Sequence, residues 1–238
     1  MEERIQTLKR WVEESGSIVF FGGAGVSTES GIPDFRSVDG LYSQHYDEPP
    51  ETILSRSYFD RNPEGFFRFY RDKLLCLDAR PNAAHRKLAQ WEAEGRLLAV
   101  ITQNVDGLHQ AAGSRKVLEL HGSVHRNHCM RCGRAYPVEA VTGGGPVPRC
   151  ACGGIIKPDV VLYEECLDQG VLEESVRCIR RADLLIIGGT SLVVYPAAGL
   201  VHDYRGHRLA LVNKSPTPMD DRADLVVAGP IGEIFSRL

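Results

Sequence analysis

Residues 18 to 37 read Ile-Val-Phe-Phe-Gly-Gly-Ala-Gly-Val-Ser-Thr-Glu-Ser-Gly-Ile-Pro-Asp-Phe-Arg-Ser. Four consecutive apolar residues, Ile18 to Phe21, predict a strand buried on both faces, as in a parallel sheet. Gly22, Gly23 and Gly25 then allow a tight turn and a close backbone approach. A strand running into such a turn is how α/β proteins aim amide N–H groups at a pyrophosphate. The dinucleotide fingerprint is incomplete, because Thr28 stands where its third glycine would fall. Asp34, Phe35 and Arg36 follow directly, a polar and aromatic set suited to contacting a cofactor.

Working outward, the same rhythm recurs. Short apolar runs at Leu97–Thr102, Val117–Leu120, Leu184–Ile187, Arg208–Val212 and Leu225–Val227 alternate with helical stretches. This pattern predicts an α/β fold with a parallel sheet covered by helices on both faces. Residues 2–15 form an amphipathic helix with Ile5, Leu8, Trp11 and Val12 on one face, and Asn82 caps a helix ending near Gly95. Polar loops follow four of the strand ends: 23–36, 102–107, 188–192 and 213–214. Ligands bind beyond the carboxyl ends of such strands, so the loops predict one shared crevice. Residues 39–80 are aromatic-rich and broken by prolines, and predict a helical insertion.

The composition is that of a globular protein: 238 residues, 43% hydrophobic, 25% charged, net charge −3. The charge argues against nucleic-acid binding driven by bulk electrostatics. No apolar run reaches membrane-spanning length, and the acidic start, Met1-Glu2-Glu3-Arg4, does not read as a secretory signal. Four of seven cysteines cluster as Cys129-Met-Arg-Cys132 and Cys150-Ala-Cys152, each pair followed by glycine. They predict a structural, four-thiolate zinc site in a reducing, cytoplasmic compartment. The second pair has one intervening residue instead of two. His125 and His128 stand close enough in sequence to be alternative ligands. Cys76, Cys166 and Cys178 are left as free thiols. His121 ends a strand just ahead of this cluster; an imidazole there suits a general base or a packed interdomain histidine equally.

Taken together, Gly-Ala-Gly-Val-Ser at 23–27, Gly-Ile-Pro-Asp-Phe-Arg-Ser at 31–37, Thr-Gln-Asn-Val-Asp-Gly-Leu-His at 102–109 and Glu-Leu-His-Gly at 119–122 resemble the sirtuins. So do the cysteine pairs, Lys-Pro-Asp-Val-Val at 157–161 and Gly-Thr-Ser-Leu at 189–192. The resemblance runs in order along essentially the whole chain, whose compact length is similar to prokaryotic members. It implies an NAD-dependent protein-lysine deacylase with a Rossmann-type domain (1–38, 81–122 and 156–238), a helical insertion (39–80) and a zinc-ribbon domain (123–155). NAD would be a consumed co-substrate and acyl-lysine proteins or peptides the partners, with a monomer expected. The resemblance assigns the NAD site to Gly23, Ala24, Gly25, Thr28, Phe35 and Arg36. Gln103, Val105 and Asp106 would surround the nicotinamide ribose, and Asn104 would position its hydroxyls or a water. Gly189, Thr190, Ser191, Asn213 and Ile231 would hold the adenosine half. His121 would act as the base, with Asn104 and Asp106 beside it. Val160, Val161, Leu162 and Tyr163 would pair with the substrate peptide.

Two departures bear on specificity. The peptide-pairing segment ends Glu164-Glu165, where relatives often have glycine before the final Glu; the extra carboxylate reads as a solvated side chain. Tyr70 and Lys73 have the Tyr-x-x-basic spacing of members that remove acidic acyl groups, but lysine lacks arginine's bidentate grip. Deacetylation is therefore expected over desuccinylation. The rival readings are mono-ADP-ribosyl transfer from the same NAD site, a non-enzymatic NAD or ADP-ribose sensor, and a nucleic-acid-binding zinc ribbon.

Overall fold

The computed structural model describes residues 1–35, 40–41, 48–143 and 145–238. Its larger sheet contains β1 (Ile18–Gly22), β2 (Leu97–Thr102) and β3 (Val117–Glu119). A smaller sheet contains β4 (Gly122–Cys129), β5 (Ala135–Tyr136) and β6 (Ile156–Val160). The chain then returns to the first sheet with β7 (Leu184–Gly188), β8 (Leu209–Asn213) and β9 (Leu225–Ala228). The larger sheet has the order β3-β2-β1-β7-β8-β9, with every pairing parallel.

Strand alternation explains the continuous apolar runs. Ile18 and Phe20 of β1 pack into one core with helices Glu2–Glu14, Ala83–Ala93 and Ile231–Phe235. Val19 and Phe21 pack into a second core, against helix Gln169–Arg181 and the 197–203 segment. With both faces covered, a polar residue at any of these positions would be buried without a partner. The capping expected of Asn82 is present. Its side chain accepts from the Ala84 and His85 N–H groups, and the His85 ring accepts from the Asn82 N–H.

From β1 the chain builds one half of the sheet outward through β2 and β3, then returns to β7 and builds the other half. The loops after β1 and β7 therefore diverge, opening a crevice at the switch point. Among the described residues no helix is long and apolar enough to cross a membrane.

The smaller sheet is antiparallel, ordered β5-β4-β6. Here the structure differs from the expected domain boundary: residues 156–160 belong to this sheet, paired with β4, and not to the larger one. Nor do the helical insertion and the cysteine module stand apart. Phe59, Phe66, Phe67 and Tyr70 share one core with Val124, Cys129, Cys150, Ile156 and Leu162. Rings of Phe59 and Phe66 meet edge to face with centroids 4.9 Å apart. A short cysteine module has too little apolar surface to bury by itself, so it borrows the aromatic face of the insertion. The switch between the two sheets is abrupt. Gly122 has φ +75°, and a Cβ there would lie 1.7 Å from the Asp159 carbonyl oxygen. Only glycine permits β4 to approach β6 so closely directly after His121.

Candidate active site

A cavity of about 470 Å³ runs along the carboxyl ends of β1, β2, β7 and β8 and is closed on its other side by residues 160–165. All four polar loops expected to converge contribute to it. Gly23, Ala24, Gly25 and Thr28 line it, as do Gln103, Asn104, Val105 and Asp106. Gly189, Thr190, Ser191, Asn213 and Ile231 form the wall under β7 and β8, and His121 lies between this wall and Val160 to Tyr163. Asp34 and Phe35 also line it, while Arg36 falls outside the described residues.

The loops interlock. The Gly25 N–H donates to the Gly189 carbonyl at 2.8 Å. Gly189 itself has φ +58°, and a Cβ on it would lie 2.4 Å from the Val26 nitrogen. The neighbouring Ala24 N–H has no protein partner among the described residues, which leaves a backbone donor ready for a phosphate oxygen. On the far side, Gln103 Nε2 donates to Thr190 Oγ1 at 3.0 Å. Glu29 ties the first loop to the last helix by accepting from the Gly232 and Glu233 N–H groups, at 2.6 and 3.1 Å. That contact fixes Ile231 against the cavity.

At the centre, Ser27 Oγ donates to Asp106 Oδ2 at 2.7 Å and accepts from Asn104 Nδ2 at 3.0 Å. The other oxygen of Asp106 accepts from the Leu108 N–H at 2.9 Å. Asn104 and Asp106 are thereby held in fixed orientations by a residue that carried no role in the sequence reading. Its signal was present, since Ser27 closes the Gly-Ala-Gly-Val-Ser motif. His121 Nδ1 lies 3.0 Å from the Gln103 carbonyl oxygen. A carbonyl only accepts, so Nδ1 carries the proton and Nε2 keeps its lone pair. Burial pushes the His121 pKa down, partly opposed by that carbonyl contact, so the ring is neutral at neutral pH. A neutral imidazole with a free Nε2 is a competent proton acceptor.

The remaining expected positions divide. Lys73 lines the cavity, but with Asp72 Oδ2 3.0 Å from its ammonium. Tyr70 is fully buried in the aromatic core and is not among the described cavity-lining residues; its hydroxyl has no hydrogen-bond partner among the described residues. The two therefore do not form a joint acyl-end site. Lys214, part of the fourth polar loop, and Ser215, not singled out from sequence, extend the wall beyond Asn213.

The four cysteines come together. Cys129 and Cys152 sulfurs are 3.4 Å apart, Cys132 and Cys150 sulfurs 3.7 Å, and all four lie within 4.8 Å of one another. Tetrahedral zinc with Zn–S bonds of about 2.3 Å requires sulfurs about 3.8 Å apart, so the donor set fits structural zinc with no position left open. His125 and His128 are engaged elsewhere. His125 Nε2 meets the Asp106 carbonyl at 3.0 Å, and His128 meets the Asp159 carboxylate.

Comparison with known proteins agrees with this geometry. The family model described as "Sir2 family" matches residues 23–196. The chain belongs to the Sir2 family. Among curated Sir2-type relatives, the NAD-dependent protein deacetylase of Clostridium acetobutylicum is 56% identical, covering 98% of this chain and 97% of its own. That of Staphylococcus aureus strain MSSA476 is 44% identical, covering 95% and 94%. A solved Sir2 complex with p53 peptide and NAD+ superposes with TM-score 0.87 at 41% identity, covering 98% of this chain and 96% of that one. A Sir2 bound to acetylated peptide gives 0.87 at 40%, with the same coverage.

Proposed function

We propose that this Sir2-family protein is an NAD-dependent protein-lysine deacetylase, converting acetyl-lysine, NAD and water to lysine, nicotinamide and 2′-O-acetyl-ADP-ribose. The observation that carries the reading is the neutral His121, its Nε2 without a partner among the described residues, in one cavity with the interlocked Asn104–Ser27–Asp106 group. NAD would supply an electrophilic ribose carbon, C1′, to which the acetyl oxygen of the substrate bonds as nicotinamide leaves. The loop at 23–28 binds its phosphates through backbone N–H groups, while Thr190, Ser191, Asn213 and Ile231 hold the adenosine end. Asn104 and Asp106, already oriented, need no reorganisation as charge develops beside them. His121 Nε2 accepts the proton of the ribose 2′-hydroxyl, freeing that oxygen to bond to the acetyl carbon; cleavage of the acetyl–nitrogen bond with uptake of water then releases free lysine. The acetyl-lysine enters beside Val160 to Tyr163, and backbone pairing there tolerates many sequences.

The acyl group is acetyl in preference to succinyl. Tyr70 lies in the core, and the Lys73 charge is offset by Asp72. Four clustered thiols that must stay reduced to ligate zinc suit a cytoplasmic location.

The test incubates the protein with NAD and an acetyl-lysine peptide, following nicotinamide and O-acetyl-ADP-ribose. In His121→Ala, turnover falls roughly 10²- to 10⁴-fold, with NAD affinity retained by calorimetry. Unchanged turnover in that variant, or label from NAD accumulating on protein instead of on acetate, would refute the assignment.

A further inference from the structure

Glu164 is one of two non-glycine residues with positive φ among those described, at +75°. An L-residue adopts this left-handed conformation only when its surroundings impose it. Its side chain is exposed, as expected from sequence, yet both carboxylate oxygens are engaged. Oε2 accepts from the Ser57 N–H at 2.8 Å and Oε1 from the Ser57 hydroxyl at 3.0 Å.

The residues before and after it are stitched down as well. Tyr163 donates its N–H to the Leu54 carbonyl at 3.0 Å and accepts from the Arg56 N–H at 2.9 Å. Glu165 accepts from the Leu162 N–H at 2.9 Å and from the buried Lys157 ammonium at 3.1 Å, while Arg56 pairs with its other oxygen at 3.1 Å. By contrast, the Glu164 N–H and carbonyl have no partner among the described residues, and Glu164 lines the cavity. Unmet backbone donors and acceptors beside a cleft are what an added strand requires. The network thus secures the residues on either side and leaves the N–H and carbonyl of residue 164 itself open.

We propose that Glu164 is a positioning residue for the substrate peptide: its carboxylate, clasped by Ser57, holds residue 164 in the left-handed conformation that keeps its N–H and carbonyl available to the acetyl-lysine peptide backbone. The proposal rests on the deacetylase reading. It differs from simple charge attraction, because the carboxylate acts by anchoring its own backbone.

The experiment measures kcat, peptide KM and NAD KM for wild type, Ser57→Ala, Glu164→Ala and Glu164→Gln, using acetyl-lysine peptides with neutral or basic flanking residues. Glu164→Ala raises peptide KM roughly tenfold, the range of a lost charge-assisted hydrogen bond, with NAD KM unchanged. Ser57→Ala, an exposed change that leaves the fold intact, gives a smaller shift in the same direction. Glu164→Gln restores most of the affinity, because its amide can accept from the Ser57 N–H and donate to the hydroxyl. Neutral and basic peptides respond alike. Wild-type peptide KM in all variants, or loss in Glu164→Gln confined to basic peptides, overturns the proposal while leaving the deacetylase reading in place. No peptide-dependent nicotinamide release by the wild type removes both.

Discussion

His85 and His109 lie beneath the Asp106 loop with ring centroids 4.7 Å apart, and both are essentially inaccessible to solvent. His85 Nδ1 accepts from the Asn82 N–H, but its Nε2 and both ring nitrogens of His109 have no partner among the described residues. Burial pulls the His85 pKa down from 6.5 to about 4; Asp106 opposes the shift and Arg86 adds to it. Burial and the neighbouring His85 also take His109 well below its usual value. A depressed folded-state pKa means that the unfolded chain binds protons first. The stability is therefore fully present above about pH 6.5 and is lost as pH falls toward about 4. For His85 alone, the loss between about pH 7 and about pH 5 amounts to about 2 kcal/mol. Urea unfolding at the two pH values measures it. His85→Gln keeps an acceptor for the Asn82 N–H in the capping box, so it removes the titration while preserving the helix start. Its stability should fall by about 2 kcal/mol less than wild type over that interval. The zinc thiolates and His121 titrate in both proteins and cancel in the difference. An acid-induced loss equal in the two proteins to within about 0.5 kcal/mol would refute the reasoning.

Two further outcomes follow from the site. Gly189→Ala places a methyl against the Val26 backbone nitrogen at a left-handed φ, so the loops after β1 and β7 must separate; calorimetry should show NAD affinity weakened roughly tenfold or more, and wild-type affinity would show that the crossing does not shape the site. Metal analysis should find about one zinc per chain, and chelation should abolish turnover while the larger sheet persists by circular dichroism, because Cys129 and Cys150 belong to the small core and not to the sheet; turnover that survives metal removal would contradict a structural role.

How much was legible in the sequence depended on whether the signal was local. The strands of the larger sheet were readable because burial on both faces leaves no place for a polar residue, so each appears as an apolar run. The helix after Asn82 was readable from its cap. The cysteine spacing was sufficient for zinc, since two short turns can deliver four thiolates without reference to the rest of the chain. Ser27, His121, Asn104 and Asp106 all lie in motifs visible as text, although the hydrogen bonds joining them cross 77 and 79 residues of chain from Ser27 to the second loop.

What only the tertiary structure decided was partnership over distance. A Tyr-x-x-Lys spacing does not say which side chain faces the cavity, and the packing of Phe66 and Phe67 draws Tyr70 into the core. Residues 156–160, expected from the family resemblance to begin the last part of the Rossmann-type domain, carry no local mark of a partner strand; they pair with β4 in the smaller sheet. Glu164 is exposed as expected, but its left-handed φ and its hydrogen bonds to Ser57, 107 residues earlier, leave no mark in the neighbouring sequence. The sequence by itself determined the larger sheet's strands, the cysteine pairs that cluster and the polar loops that line the cavity, because each is encoded within a few consecutive residues. The folded chain decided how those pieces share cores, hydrogen bonds and the cavity, because such contacts depend on which distant surfaces meet.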